Sequence, residues 1–112
     1  MALRFALNHM AAPGLRPEAL FSLARRLGIT EVEIRNDLAG NALVDGTPAE
    51  AVRNAAEAAG VTLITINALQ RFNQWSAARA AEARDLASYC KASGTKALVA
   101  LTLPCSSRQA RR

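Results

Sequence analysis

Three stretches of the chain follow one template, and that repeat narrows the choice of fold more than any other feature. Each passes from an apolar-striped helix to a glycine, two further residues and a β-rich run. They are Gly28-Ile29-Thr30-Glu31-Val32-Glu33-Ile34-Arg35, Gly60-Val61-Thr62-Leu63-Ile64-Thr65-Ile66-Asn67 and Gly94-Thr95-Lys96-Ala97-Leu98-Val99-Ala100-Leu101. The glycines stand 32 and 34 residues apart. That period suits a βα unit, and glycine just past a helix end is where a left-handed residue is required.

The segments before the glycines have helical periodicity. Pro17 suits an opening turn, and Leu20, Leu23, Ala24 and Leu27 form an i, i+3, i+4, i+7 stripe. A second helix opens with Thr47-Pro48-Ala49-Glu50, a capping box with proline at the first helical position, and carries Val52, Ala55, Ala56 and Ala59. The third starts near Ser76 with Ala83, Leu86, Ala87 and Cys90 as its stripe. A strand over residues 3–8 precedes them all. The order β-α-β-α-β-α-β calls for parallel strands joined by helical crossovers, an α/β fold.

Strand faces choose between the two architectures that share this alternation. Residues i and i+2 share a face. The spacing therefore sets Glu31, Glu33 and Arg35 against Val32 and Ile34, and Arg4, Ala6 and Asn8 against Leu3, Phe5 and Leu7. In the third strand it sets Leu63, Thr65 and Asn67 against Ile64 and Ile66. One face is apolar throughout, and the other turns polar toward the C-terminal ends. A doubly wound sheet is apolar on both faces, whereas a barrel with a polar mouth explains the asymmetry. Edge strands with one wet face are the bland alternative. Neither G-x-G-x-x-G nor a Walker loop occurs, which argues against Rossmann and P-loop domains.

Length limits the barrel. With 112 residues the chain has under half of the roughly 250 that a complete (β/α)8 barrel needs. We therefore expect an incomplete (β/α)8 TIM barrel, its first three and a half units, over residues 1–103, followed by a basic, disordered tail at 104–112. The formal charge of +5 says little about partners, because Arg108, Arg111 and Arg112 supply three of those charges. A basic end without aromatic interleaving touches nucleic acid at most non-specifically. Cys90 and Cys105 are isolated, which implies neither a disulfide framework nor a metal site and suits a reducing cytoplasm. No run approaches the roughly 20 apolar residues of a membrane span, and no signal peptide is evident.

Ligands of parallel α/β folds bind at the carboxyl ends of strands. Here those ends read Asn8-His9-Met10, Arg35-Asn36-Asp37 and Asn67-Ala68-Leu69-Gln70-Arg71-Phe72-Asn73. Amides and carboxylates hydrogen-bond sugar hydroxyls, and arginine can clamp a phosphate or carboxylate. The set suits a small polyhydroxylated or phosphorylated substrate. Each residue also has a structural use. His9 can bond within its loop, Glu33 and Arg35 can neutralise each other, and Asn36 and Asp37 can form turns. Gln70, Arg71 and Asn73 can cap the third helix, with Trp75 as a staple beside it. The signal is the convergence of three clusters at one rim.

The strings Phe5-Ala6-Leu7-Asn8-His9-Met10, Val32-Glu33-Ile34-Arg35-Asn36-Asp37-Leu38 and Ile66-Asn67-Ala68-Leu69-Gln70-Arg71-Phe72-Asn73 resemble the N-terminal half of the sugar phosphate isomerase/epimerase family, the xylose-isomerase-like barrels, over about residues 3–100. The resemblance implies a divalent-metal barrel that moves a proton beside the carbonyl of a sugar or inositol derivative. It also implies that Asn8, His9, Glu33, Arg35, Asn67, Gln70 and Arg71 line the substrate pocket. The family's metal ligands, two Glu, one Asp and one His, come from later strands, so no metal ligand is assigned to this chain and the metal belongs to the full-length family.

Seven residues past the glycines stand Arg35, Asn67 and Leu101, and the third departs from the polar pattern. Residues 102–112 carry no helical stripe or cap, where the family continues into a fourth helix. A lost reading frame or a truncated gene near residue 100 would produce this. The leading expectation is thus the N-terminal part of a metal-dependent sugar isomerase or epimerase, inactive alone. A small sugar-phosphate-binding module acting through Arg35 and Arg71, or a homo-oligomer joined through exposed sheet edges, is the alternative. Non-specific nucleic-acid binding by the tail is a third.

Overall fold

A computed structural model describes residues 3–38 and 46–102. The tail and Cys105, on which the disorder and thiol expectations fall, lie outside the described residues. The element order is β1 (Ala6–Asn8), a 3-10 turn (His9–Ala11), α1 (Pro17–Arg26), β2 (Glu31–Arg35), α2 (Ala49–Ala59), β3 (Thr62–Leu69), α3 (Ala77–Ser93) and β4 (Ala97–Ala100). The expected alternation is present.

The four strands form one sheet in the order β1-β2-β3-β4, and every neighbouring pair is parallel. Parallel crossovers are right-handed in nearly all proteins. Three such crossovers that advance always in the same direction leave all their helices on one face. Consistently, α1 packs on α2 and α2 on α3. A doubly wound sheet reverses its strand order at a switch point, and the strands of the described residues show no reversal. The arrangement is that of a partial (β/α)8 barrel.

Each helix returns to the sheet through the same junction. Gly28, Gly60 and Gly94 adopt φ of 75°, 71° and 77°, so the sequence repeat is a repeat of left-handed helix ends. The following amides of Ile29, Val61 and Thr95 donate to the carbonyls of Ala24, Ala56 and Cys90 at 2.8, 3.0 and 2.9 Å. Those carbonyls belong to residues whose side chains are buried, so each junction ties the helix end to the core.

The core lies between the sheet and its helices. Val32, Ile34, Leu63, Ile66 and Leu69 from the strands meet Leu20, Phe21 and Ala24 of α1, Val52 and Ala56 of α2, and Leu86 and Cys90 of α3. Burying an aliphatic or aromatic side chain of this kind stabilises by roughly 1.5–3 kcal/mol. Cys90 acts as a small hydrophobe, and burial raises its thiol pKa. Among the described residues no helix is long and apolar enough to cross a membrane.

Four local expectations need correction. Leu63 lies on the helix-covered face, not the polar one. Val32 pairs with Leu63 and Glu33 with Thr65, so Ile64 is an extra residue that resets the alternation. Leu3 and Phe5 stay exposed, because the strand starts only at Ala6 and no described helix covers that edge. Leu27 and Ala87 are also exposed, the first because α1 ends at Arg26.

The capping box does not form. Pro48 takes the N-cap position of α2 with no side-chain cap. Thr47 serves as a tie instead: its hydroxyl accepts from Arg16 Nη2 at 3.1 Å, and its carbonyl accepts from the Tyr89 hydroxyl at 2.7 Å. The third helix keeps its expected cap, with Ser76 Oγ accepting from the Arg79 amide at 3.1 Å.

Candidate functional site

The face away from the helices collects the polar strand residues in two rows. Pairing places Asn8 beside Glu33, Glu33 beside Thr65 and Thr65 beside Ala97. One step nearer the C-terminal ends, Arg35 stands beside Asn67 and Asn67 beside Val99. Parallel strands in fixed register make these rows, since residues of matching parity on adjacent strands share a face. Asn8, Glu33, Arg35 and Asn67 are thus brought together as the sequence anticipated.

The first row is held by a side-chain bond. Asn8 Nδ2 donates to Glu33 Oε2 at 2.8 Å, while Asn8 Oδ1 accepts from the Met10 amide at 2.8 Å and caps the 3-10 turn. Next in the row, the Thr65 hydroxyl is buried and has no hydrogen-bond partner among the described residues. Thr65 was legible only as a polar member of its face, and no motif singled it out. An unpartnered buried hydroxyl is uncommon in native proteins and invites an explanation.

The second row carries the charge. Arg35 Nε and Nη2 donate to Asp37 Oδ1 and Oδ2 at 2.8 and 2.6 Å, a two-pronged pair. The hydrogen bond from Arg35 holds the Asp37 carboxyl below its ordinary pKa, and the same bond raises that of Arg35. Gln70 Nε2 reaches Asp37 Oδ2 at 3.5 Å, the long limit of a hydrogen bond. The backbone supports this rim, because the Asn36 amide donates to the Asn67 carbonyl at 2.7 Å.

Two anticipated residues stand outside these two rows. His9 is fully buried, with Nε2 2.8 Å from the Leu15 carbonyl. That carbonyl can only accept, so Nε2 carries the proton. The ring thereby fixes the β1–α1 connection rather than presenting itself at an open surface. Arg71 is exposed, with φ of 56°, and its carbonyl accepts from the Gln74 amide at 2.9 Å. Trp75 does not act as a buried staple: it is 59% exposed and stacks edge-on against Phe72 with ring centroids 5.8 Å apart.

No three His, Cys, Asp or Glu side chains converge among the described residues. On the inner face Glu31 is paired with Arg4, Glu33 with Asn8 and Asp37 with Arg35. The residues present therefore do not fit a divalent ion. What they can do is hydrogen-bond a polar ligand laid across the C-terminal ends of β1, β2 and β3.

Comparison with known proteins agrees with this geometry. The chain is similar to a xylose isomerase domain containing protein from Salmonella typhimurium LT2, known from its crystal structure, with a TM-score of 0.82 and 39% sequence identity. The match covers 89% of this chain and 37% of that one. No family model matches the chain, and no curated protein does. The resemblance seen in the strand-end motifs therefore holds, and the four-stranded unit fits the N-terminal part of a xylose-isomerase-like barrel.

Proposed function

We propose that this chain forms the substrate-binding N-terminal part of a sugar isomerase or epimerase barrel and is catalytically inactive by itself. The observation that carries the reading is the inner-face row of Asn8, Glu33 and Thr65, with Arg35 and Asn67 one step above it. Such a row offers a carboxylate and a carboxamide to the hydroxyl groups of a sugar or inositol derivative, and beside them the buried Thr65 hydroxyl has no partner among the described residues. In this reading these side chains bind and orient the ligand, and no described residue is assigned the proton-moving step. Ligands for the divalent metal that the likeness implies would come from later strands of the barrel.

Binding without turnover is the test. Titrating the isotopically labelled chain with a neutral sugar or with inositol should shift the side-chain and backbone signals of Asn8, Glu33, Thr65 and Asn67. With the sugar, deuterium exchange beside its carbonyl should stay at the uncatalysed rate. Uniform lack of response at those four residues rejects the reading.

Exposed Leu3 and Phe5 at the β1 edge favour a second reading, self-association through open edges. Light scattering distinguishes it: a concentration-dependent mass that falls when Phe5 is replaced by Lys supports association, and a constant monomer mass rejects it.

A further inference from the structure

We propose that Asp37 is a specificity-determining residue that reserves this rim for uncharged polyhydroxylated ligands by occupying the anion-binding fork of Arg35; the inference rests on the sugar-binding reading above. Arginine recognises phosphate and carboxylate through two parallel N–H donors. In Arg35 those donors, Nε and Nη2, already bind both oxygens of Asp37 at 2.8 and 2.6 Å. The chain supplies its own carboxylate where a phosphate would sit.

A competing anion meets two obstacles. It must displace Asp37, which is tethered two residues away and stays at high local concentration. Once displaced, Asp37 still lies beside the newcomer with like charge, and Glu33 presents a second carboxylate from the same strand face. Like charges a few ångströms apart repel, and at this partly exposed rim solvent weakens that repulsion without removing it. The depressed Asp37 pKa keeps the fork filled throughout the neutral range.

A neutral hydroxyl meets neither obstacle. It can donate to carboxylate lone pairs that Asn8 and Arg35 leave open, and it can accept from guanidinium N–H groups outside the pair. Thr65 adds a hydroxyl that has no partner among the described residues. Arg71 remains exposed at the rim, but a solvated cation attracts phosphate weakly and in a salt-screened manner. Selectivity therefore comes from a repulsive element inside the site.

The experiment titrates the full chain with inorganic phosphate alone and follows the Arg35 Nε–H resonance. The wild-type chain should show no saturable shift. Asp37→Asn, and independently Asp37→Ser, should bind phosphate at Arg35 at least about tenfold more tightly, since each removes the negative charge and the two-oxygen acceptor that fills the fork. Circular dichroism identifies the folded variants. Saturable phosphate binding at Arg35 in the wild type overturns the proposal, as does a pair of folded variants that bind no better than wild type. A parallel titration with inositol separates the two ideas: no inositol response alongside the expected phosphate pattern rejects the sugar reading and leaves the anion exclusion supported.

Discussion

Asn8 and Glu33 join β1 to β2 through a 2.8 Å hydrogen bond from carboxamide nitrogen to carboxylate oxygen. The same carboxamide uses its oxygen to cap the turn that leaves β1, accepting from the Met10 amide. One side chain thus fixes the sheet edge, the start of the loop and the orientation of a candidate ligand-binding carboxylate. β1 is only three residues long, so little else secures that edge.

Replacing Asn8 by Ala should therefore destabilise more than a surface change. It removes a charge-assisted bond to a part-buried carboxylate and a cap on the 3-10 turn, together worth about 2–3 kcal/mol. Urea denaturation should show a lowered midpoint, and the Glu33 side-chain signal should broaden. A loss below about 0.5 kcal/mol would mean that the bond does not hold the edge.

Gly60 tests the junction between helix and strand. Its φ of 71° is left-handed, and a Cβ added there would meet nothing within 4 Å. The penalty of Gly60→Ala is thus conformational alone, about 1–2 kcal/mol. Gly60→Asn should recover part of it, because asparagine tolerates this region better. Equal losses for Ala and Asn would point to a steric cause that the open space does not suggest.

Acid titration should weaken the Arg35–Asp37 pair in a defined direction. The folded-state carboxyl titrates below its ordinary value because Arg35 bonds its charged form. Its stabilisation is therefore complete above the unfolded pKa of about 3.9 and is lost as pH falls through the lower folded value. The side chains are 20% and 34% exposed, so solvent screening limits the pair to about 0.2–1 kcal/mol. Asp37→Asn should lower the unfolding free energy from urea denaturation at pH 7 by that amount. The difference should close below about pH 4.

Most of the fold was legible because the repeat encodes it. Glycine at 28, 60 and 94 announces a left-handed helix end, and the structure places one at each. What escaped the pattern has local physical causes. The extra residue Ile64 shifts the parity of β3, so a strict period of two assigns Leu63 to the wrong face. Phe21, fully buried on α1, lies beside the i, i+3, i+4 stripe and widens it. Thr47 reads as a cap from its spacing to Glu50, but Arg16, just before α1, and Tyr89 on α3 engage it first. At the rim, the sequence located Arg35 and Asp37 at one strand end but not that they occupy each other. His9 reads from sequence both as a rim residue and as one that bonds within its loop; the structure shows the second, and its full burial depends on a loop that no periodicity describes.

Thr65 offers the sharpest separation of stability from binding. Its hydroxyl is buried without a partner among the described residues, a situation that costs about 1–3 kcal/mol relative to a satisfied group. Valine has nearly the same shape without the oxygen, so Thr65→Val should leave stability unchanged or raise it by up to about 1 kcal/mol. If the hydroxyl serves a ligand, the same change should weaken inositol or sugar binding severalfold, because one hydrogen bond contributes about 0.5–1.5 kcal/mol. A variant that is more stable and binds less well identifies Thr65 as a residue kept for its ligand. Destabilisation of more than about 1 kcal/mol would show that the hydroxyl has a structural partner, and the inner-face row would lose its claim to be a binding surface.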